Sequence, residues 1–151
     1  MHPHPVQKLL IPPPQEIEET FLPLFRLAIE REEIMEQLSH EKLDVYQCSI
    51  EFLGVAESML QRLPQGYATL ADQLHRASLS IPLNIAEACG KPSPKDRANR
   101  YAIARGSALE CGAILDALLT LSLLPESAHS KAKILLVRIA SMLSKLSRPV
   151  P

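Results

Sequence analysis

Apolar residues recur every three to four positions between Asp44 and Leu146, and the phase of that recurrence is broken three times. The first stripe is Val45, Cys48, Phe52, Leu53, Ala56, Met59, Leu60 and Leu63, ended by Pro64-Gln-Gly66. Asp44 stands before it as an N-cap candidate, with Gln47 as the reciprocal member of a capping box. The second stripe, Leu70, Leu74, Ala77, Ile81, Ile85 and Ala88, follows Thr69 and Asp72, a second such box. Pro82 interrupts it without shifting its phase, so the spacing predicts a kinked helix rather than two short ones.

After Gly90-Lys-Pro-Ser-Pro a third start combines Ser93 as N-cap, Pro94 as first helical residue and Asp96 as box partner. That helix should run to about Leu123. One face carries Tyr101, Ala104, Ala108, Cys111, Leu115, Leu118 and Ser122; Ile103, Gly106, Ala113, Ile114, Ala117 and Leu121 fill much of the remainder. A helix apolar on nearly all sides calls for cover on nearly all sides. Three companions of this length cannot supply it, so a subunit interface is expected, with Gly106, Ala113 and Ala117 small enough for close approach. The fourth helix begins near Pro125-Glu126 and carries Ala128, Ala132, Leu135, Leu136, Ile139, Met142, Leu143 and Leu146. Short connections make neighbours antiparallel, and the fold class expected over 43–148 is all-α, an antiparallel up-down-up-down four-helix bundle.

Upstream, residues 1–15 hold five prolines and read as a disordered tail, His2 and His4 included. Residues 16–42 show an acidic amphipathic pattern that predicts an extra N-terminal helix: Ile17, Phe21, Leu24, Ala28, Met35 and Leu38 on one side, Glu30, Glu32, Glu33 and Glu36 on the other.

Composition narrows the class. Aromatic residues make up 4% with no Trp, so Leu, Ile, Ala and Val must build the core, and five glycines leave little for hairpin turns. The net charge of -1 hides an asymmetry, because residues 1–42 carry eight acids and four bases, -4, which leaves +3 for the rest. Cys48, Cys89 and Cys111 lack metal or disulfide spacing and read as free thiols of a reducing, cytoplasmic protein. No signal peptide is evident, and the longest uncharged run is too short to cross a bilayer.

Candidate chemistry is sparse. Arg76, Asn84, Glu87, Arg105, Ser107 and Glu110 are polar residues set into apolar surfaces. Buried charges need partners. The expectation is therefore a structural network in which Glu87 or Glu110 accepts from Arg105 or Arg76 and fixes the register of the two central helices. No triad, phosphate loop, Glu-x-x-His pair or zinc spacing can be assembled, so neither an enzyme nor a metal or other cofactor is expected. Lys91, Lys95, Arg97 and Arg100 form the basic cluster, offset by Asp96. Repeated around a ring, it would suit phosphate.

The run Arg76-Ala77…Ser80-Ile81-Pro82-x-Asn84-Ile85-Ala86-Glu87, then Ala104-Arg105-Gly106-Ser107-x-x-Glu110, resembles the bacterial four helix bundle protein family, as does the opening Leu43-Asp-Val-Tyr-Gln47. These are proteins encoded in intervening sequences of large-subunit ribosomal RNA genes. They are related in fold to accessory proteins of diversity-generating retroelements. The resemblance covers residues 43–124 well and the last helix loosely. It implies a homopentameric ring of bundles without catalysis, and, by way of the retroelement relatives, a basic surface for RNA or DNA and a reverse transcriptase. Two functions thus stand side by side: an oligomeric scaffold with protein partners, or a nucleic-acid-binding accessory protein.

Overall fold

In a computed structural model, residues 37–148 are described. The proline-rich tail and most of the expected acidic helix lie outside them. Residues 37–42, the end of that expected helix, form turns: Leu43 N donates to His40 O at 3.0 Å, and the Glu41 carboxylate accepts from Leu38 N at 2.7 Å.

Four α-helices follow, with no strand among the described residues: α1, Asp44–Leu60; α2, Ala68–Cys89; α3, Pro94–Thr120; and α4, Glu126–Leu146. α1 packs on α2 and α4, and α3 packs on the same two, so the four close a cycle in chain order. Two pairs of side chains give the register of α2 on α3. Ser80 meets Ser107, and seven residues further along α2, Glu87 meets Arg100, seven residues back along α3.

Helix starts match the sequence in place more than in device. Ser93 caps α3 as expected, its Oγ accepting from Asp96 N at 3.4 Å, with Pro94 behind it. The other two capping boxes do not form. Leu43 is the N-cap of α1, which puts Asp44 inside the first turn; Gln47 donates its side-chain amide to Glu41 O at 3.0 Å instead. At α2 the N-cap is Tyr67, and Gly66, at φ 101°, supplies the left-handed residue that turns the chain in. With the N-cap two residues earlier than Thr69, Asp72 falls a full turn inside and pairs with Arg76 at 3.1 Å.

Pro82 sits inside α2 and is buried, so the helix runs through it. α3 stops at Thr120, short of the expected Leu123. Ser122 turns left-handed, φ 57°, while Ser122 N donates to Leu119 O and Leu123 N to Leu118 O, both at 2.9 Å. This is a Schellman closure with serine where glycine is usual. It takes Ser122 off the buried stripe to which its spacing assigned it.

The core lies on the expected stripes. Phe52, Ala56, Leu74, Ile81, Ile85, Ala88, Ala104, Cys111, Leu115, Leu118, Ala132, Ile139 and Leu143 are fully or almost fully buried, an aliphatic interior in which Phe52 and, nearer the edge, Tyr101 are the rings. Leu146, expected inside, is 39% exposed at the end of α4.

Candidate interaction surface

The polar residues singled out from the sequence divide into separate arrangements. Asn84, Ser80 and Ser107 do form a network between α2 and α3. Asn84 Nδ2 donates to Ser80 O at 2.9 Å and lies 3.1 Å from Ser80 Oγ, which is 2.8 Å from Ser107 Oγ. Ser80 appeared in the sequence only as part of the run that carries the family resemblance and was not picked out as a network residue.

The expected buried carboxylate–guanidinium pair is absent. Glu87 is 44% exposed in its side chain and meets Arg100 at 3.1 Å and Lys91 at 3.4 Å. Arg76 pairs with Asp72 on the outer side of α2. Arg105 turns to α4, donating from Nε to Ser144 Oγ at 2.8 Å. Glu110 is exposed and has no ion-pair partner among the described residues. Helical geometry accounts for the split. Arg105 and Ser107 are two residues apart, more than half a turn, so when Ser107 faces α2, Arg105 must face the other neighbour.

Glu87 changes the basic cluster as well. Its single charge offsets one of the two carried by Lys91 and Arg100, where the sequence showed only Asp96 as an offset. Arg97 Nη2 donates to Lys91 O at 3.3 Å, and Lys95 is exposed.

A second charged cluster escaped the sequence reading. Asp116 of α3 holds two residues of α4: His129 Nε2 at 2.7 Å, and Lys133 Nζ at 3.0 and 2.9 Å from its two oxygens. The hydrogen bond from His129, then that from Lys133, hold its carboxyl below the usual range. His129 and Lys133 stand four apart, the spacing of one helix face, and that was the available signal.

Apolar side chains remain on the outer sides of α2, α3 and α4. Leu79 and Leu83 are exposed on α2, Ile103 and Leu109 on α3, Ile134 and Val137 on α4; Leu83 is 59% and Val137 62% accessible. Gly106 and Ala113 of α3 are exposed as well. Of the second apolar set expected on α3, Ile114 alone is buried within the protomer, and Ala117 is half-buried. Between α3 and α4 lies an open groove of about 280 Å³, walled by Leu109, Ala113, Val137 and Ala140.

Burial pushes the Cys111 thiol up to about 12. Burial, then the Cys89 contact at 3.8 Å, pushes the Tyr101 phenol up to about 12. Both groups stay protonated at neutral pH. Among the described residues no three His, Cys, Asp or Glu side chains gather as a metal site, and no helix is long and apolar enough to cross a membrane.

No curated protein matches this sequence. A crystal structure of a protein of unknown function from the S23 ribosomal protein family of Bacteroides thetaiotaomicron has a similar fold, with a TM-score of 0.65 and 23% identity. The similarity covers 69% of this chain and 98% of that one. The model of the 23S rRNA-intervening sequence proteins matches residues 41–145, nearly the whole described part. With that match spanning most of the chain, the protein belongs to the 23S rRNA-intervening sequence protein family.

Proposed function

We propose that this protein is a non-catalytic, cytoplasmic, homo-oligomeric interaction module: an antiparallel up-down-up-down bundle that assembles as a ring, with five copies implied by the family resemblance. The observation that carries this reading is the apolar surface left on α2, α3 and α4. Exposed leucines occur singly on any protein, but here six large aliphatic side chains are exposed on three helices, and Leu109 and Val137 share one groove with Ala113, surface of the kind that partners cover. The cyclic packing order and the register of Ser80–Ser107 and Glu87–Arg100 support the bundle topology. Light scattering tests assembly: the expected mass is several times 16.7 kDa, and a monomer at micromolar concentration overturns the reading.

A second reading is a nucleic-acid-binding accessory protein, for which a reverse transcriptase would be a natural partner. Its specific support is Lys95 and Arg97, exposed beside the α2–α3 loop without an acid within ion-pair distance among the described residues. A ring would gather these cations at one rim and suit sequence-tolerant phosphate binding that weakens steeply with salt. Mobility shifts of single- and double-stranded RNA and DNA, wild type against a variant with Gln at Lys91, Lys95, Arg97 and Arg100, decide it. Equal shifts for both proteins, or none at low salt, leave the scaffold reading alone.

A further inference from the structure

We infer that the copies meet through two different surfaces: the Leu79–Leu83 ridge of α2 in one protomer seats in the α3–α4 groove of the next. This rests on the oligomeric reading above and adds which surfaces meet and in which direction.

The ridge is convex. Leu79 and Leu83 are four residues apart on one side of α2, 37% and 59% exposed. The groove is concave, lined by Leu109, Gly112, Ala113, Leu136, Val137 and Ala140. Gly112 keeps its floor low. A Cβ there would rise into ordinary van der Waals contact with Lys133 Nζ at 3.7 Å and Leu136 Cδ1 at 3.9 Å, taking up depth that the glycine leaves to the groove.

Charges at the ends of both features match in register. Arg76, Leu79, Leu83 and Glu87 follow at intervals of three, four and four, so a cation and an anion bracket the ridge on one helical face. Arg105, Leu109, Gly112 and Asp116 bracket the groove in the same order. Arg76 to Glu87 and Arg105 to Asp116 are both eleven residues, about 16 Å along a helix axis. With α2 laid antiparallel to the neighbour's α3, Arg76 falls on Asp116 and Glu87 on Arg105. Laid parallel, Arg76 would face Arg105 and Glu87 would face Asp116.

All four ions are exposed enough to take a further partner. Arg76 is 67%, Glu87 44% and Asp116 56% accessible, beside Asp72, Lys91 and Arg100, and His129 and Lys133 respectively. Arg105 gives its Nε to a neutral serine. Such rim charges set direction more than strength, and the leucines in the groove carry affinity.

Ridge and groove are separate surfaces, so each contact leaves one of each unused. Such a head-to-tail contact does not stop at a pair, and it closes into a ring when its rotation brings the last copy back to the first. The rival is an isologous contact in which two α2 ridges pack on each other.

Mixing separates the two. Leu83→Glu spoils the ridge and leaves the groove; Val137→Glu spoils the groove and leaves the ridge. Each variant alone should sediment as a monomer with wild-type helicity. Their equimolar mixture should form a 1:1 heterodimer of twice the chain mass. Leu79→Glu with Ala113→Glu repeats the logic should a first variant lose its helicity. The inference falls if either variant keeps the wild-type mass, as Val137→Glu would under ridge-on-ridge packing, or if the mixture stays monomeric. Wild type that is itself monomeric removes the oligomeric reading beneath it, whereas wild type that assembles while the mixture fails removes this contact alone.

Discussion

Glu87 Oε1 lies 3.1 Å from Arg100 Nη2 and 3.4 Å from Lys91 Nζ, on the outside of the protein where α2 gives way to α3. A carboxylate in this sequence context looks like a buried register pin; here it is a surface ion shared between two cations. The energetic consequence differs several-fold. Removing one member of a buried pair costs about 3–5 kcal/mol, whereas exposed pairs are worth roughly 0–1 kcal/mol.

Glu87→Ala should therefore lower stability by no more than about 1 kcal/mol in a denaturant melt. The same change uncovers Lys91 and Arg100, so any affinity for phosphate polymers should rise rather than fall. A loss above about 3 kcal/mol would mean that Glu87 is buried in the assembled protein, beneath a neighbouring copy.

Asp116 ties α3 to α4, and its carboxyl titrates below the ordinary range because His129 and Lys133 hydrogen-bond the charged form. A carboxyl depressed by folding adds stability in full above its unfolded pKa, about 4. That contribution fades as pH drops below this and is gone beneath the folded value. Asp116→Asn should lower stability at pH 7, and the gap between the variant and wild-type melts should narrow steadily as pH falls below about 4. Because the side chain is 56% exposed, the difference at neutral pH should be small. A gap that widens on acidification would overturn the assignment.

The four helices were legible in the sequence because aliphatic side chains recur at helical spacing and proline or glycine interrupts them. Asn84 and Ser107 stood out as polar residues in an apolar seam, but the link between them, which runs through Ser80, was not among the pairings expected. Nor were the partners of Glu87, Arg105 and Arg76 legible. Their pairing depends on the angle at which each leaves its helix, and a residue between two neighbours can serve either one. The capping boxes at Asp44 and Thr69 failed for a local reason: a start displaced by one residue at Leu43 and by two at Tyr67 moves the acceptor inside the first turn, where its geometry no longer fits. Asp116 with His129 and Lys133 joins two helices across thirteen and seventeen positions, a separation at which no single-helix spacing rule operates.

The cysteines should differ in reactivity. Cys48 and Cys111 are buried, and burial holds the Cys111 thiol near 12, so little thiolate exists at neutral pH. Cys89 is half-buried beside Tyr101. A thiol reagent at pH 8 should modify Cys89 first and reach the other two only in denaturant; peptide mapping of the labelled protein reads the order. Cys111 labelled in the native protein at a rate matching Cys89 would contradict its burial.

Ser122 offers a change in the favourable direction. It closes α3 in the left-handed region at φ 57°, where a Cβ crowds the following carbonyl and costs about 1–2 kcal/mol. Glycine removes that cost but gives the unfolded chain more freedom, a loss of about 0.4–1 kcal/mol. Strain relief is the larger of the two, and Ser122 is exposed with its backbone N–H already bonded to Leu119 O, so no packing or hydrogen bond is lost. Ser122→Gly should stabilise by roughly 0.5–1 kcal/mol and raise Tm by about 2–4 °C. Ser122→Val, β-branched at the same φ, should shift Tm the opposite way by more. If glycine lowers Tm while valine leaves it unchanged, the left-handed closure of α3 is not the conformation this loop holds in solution.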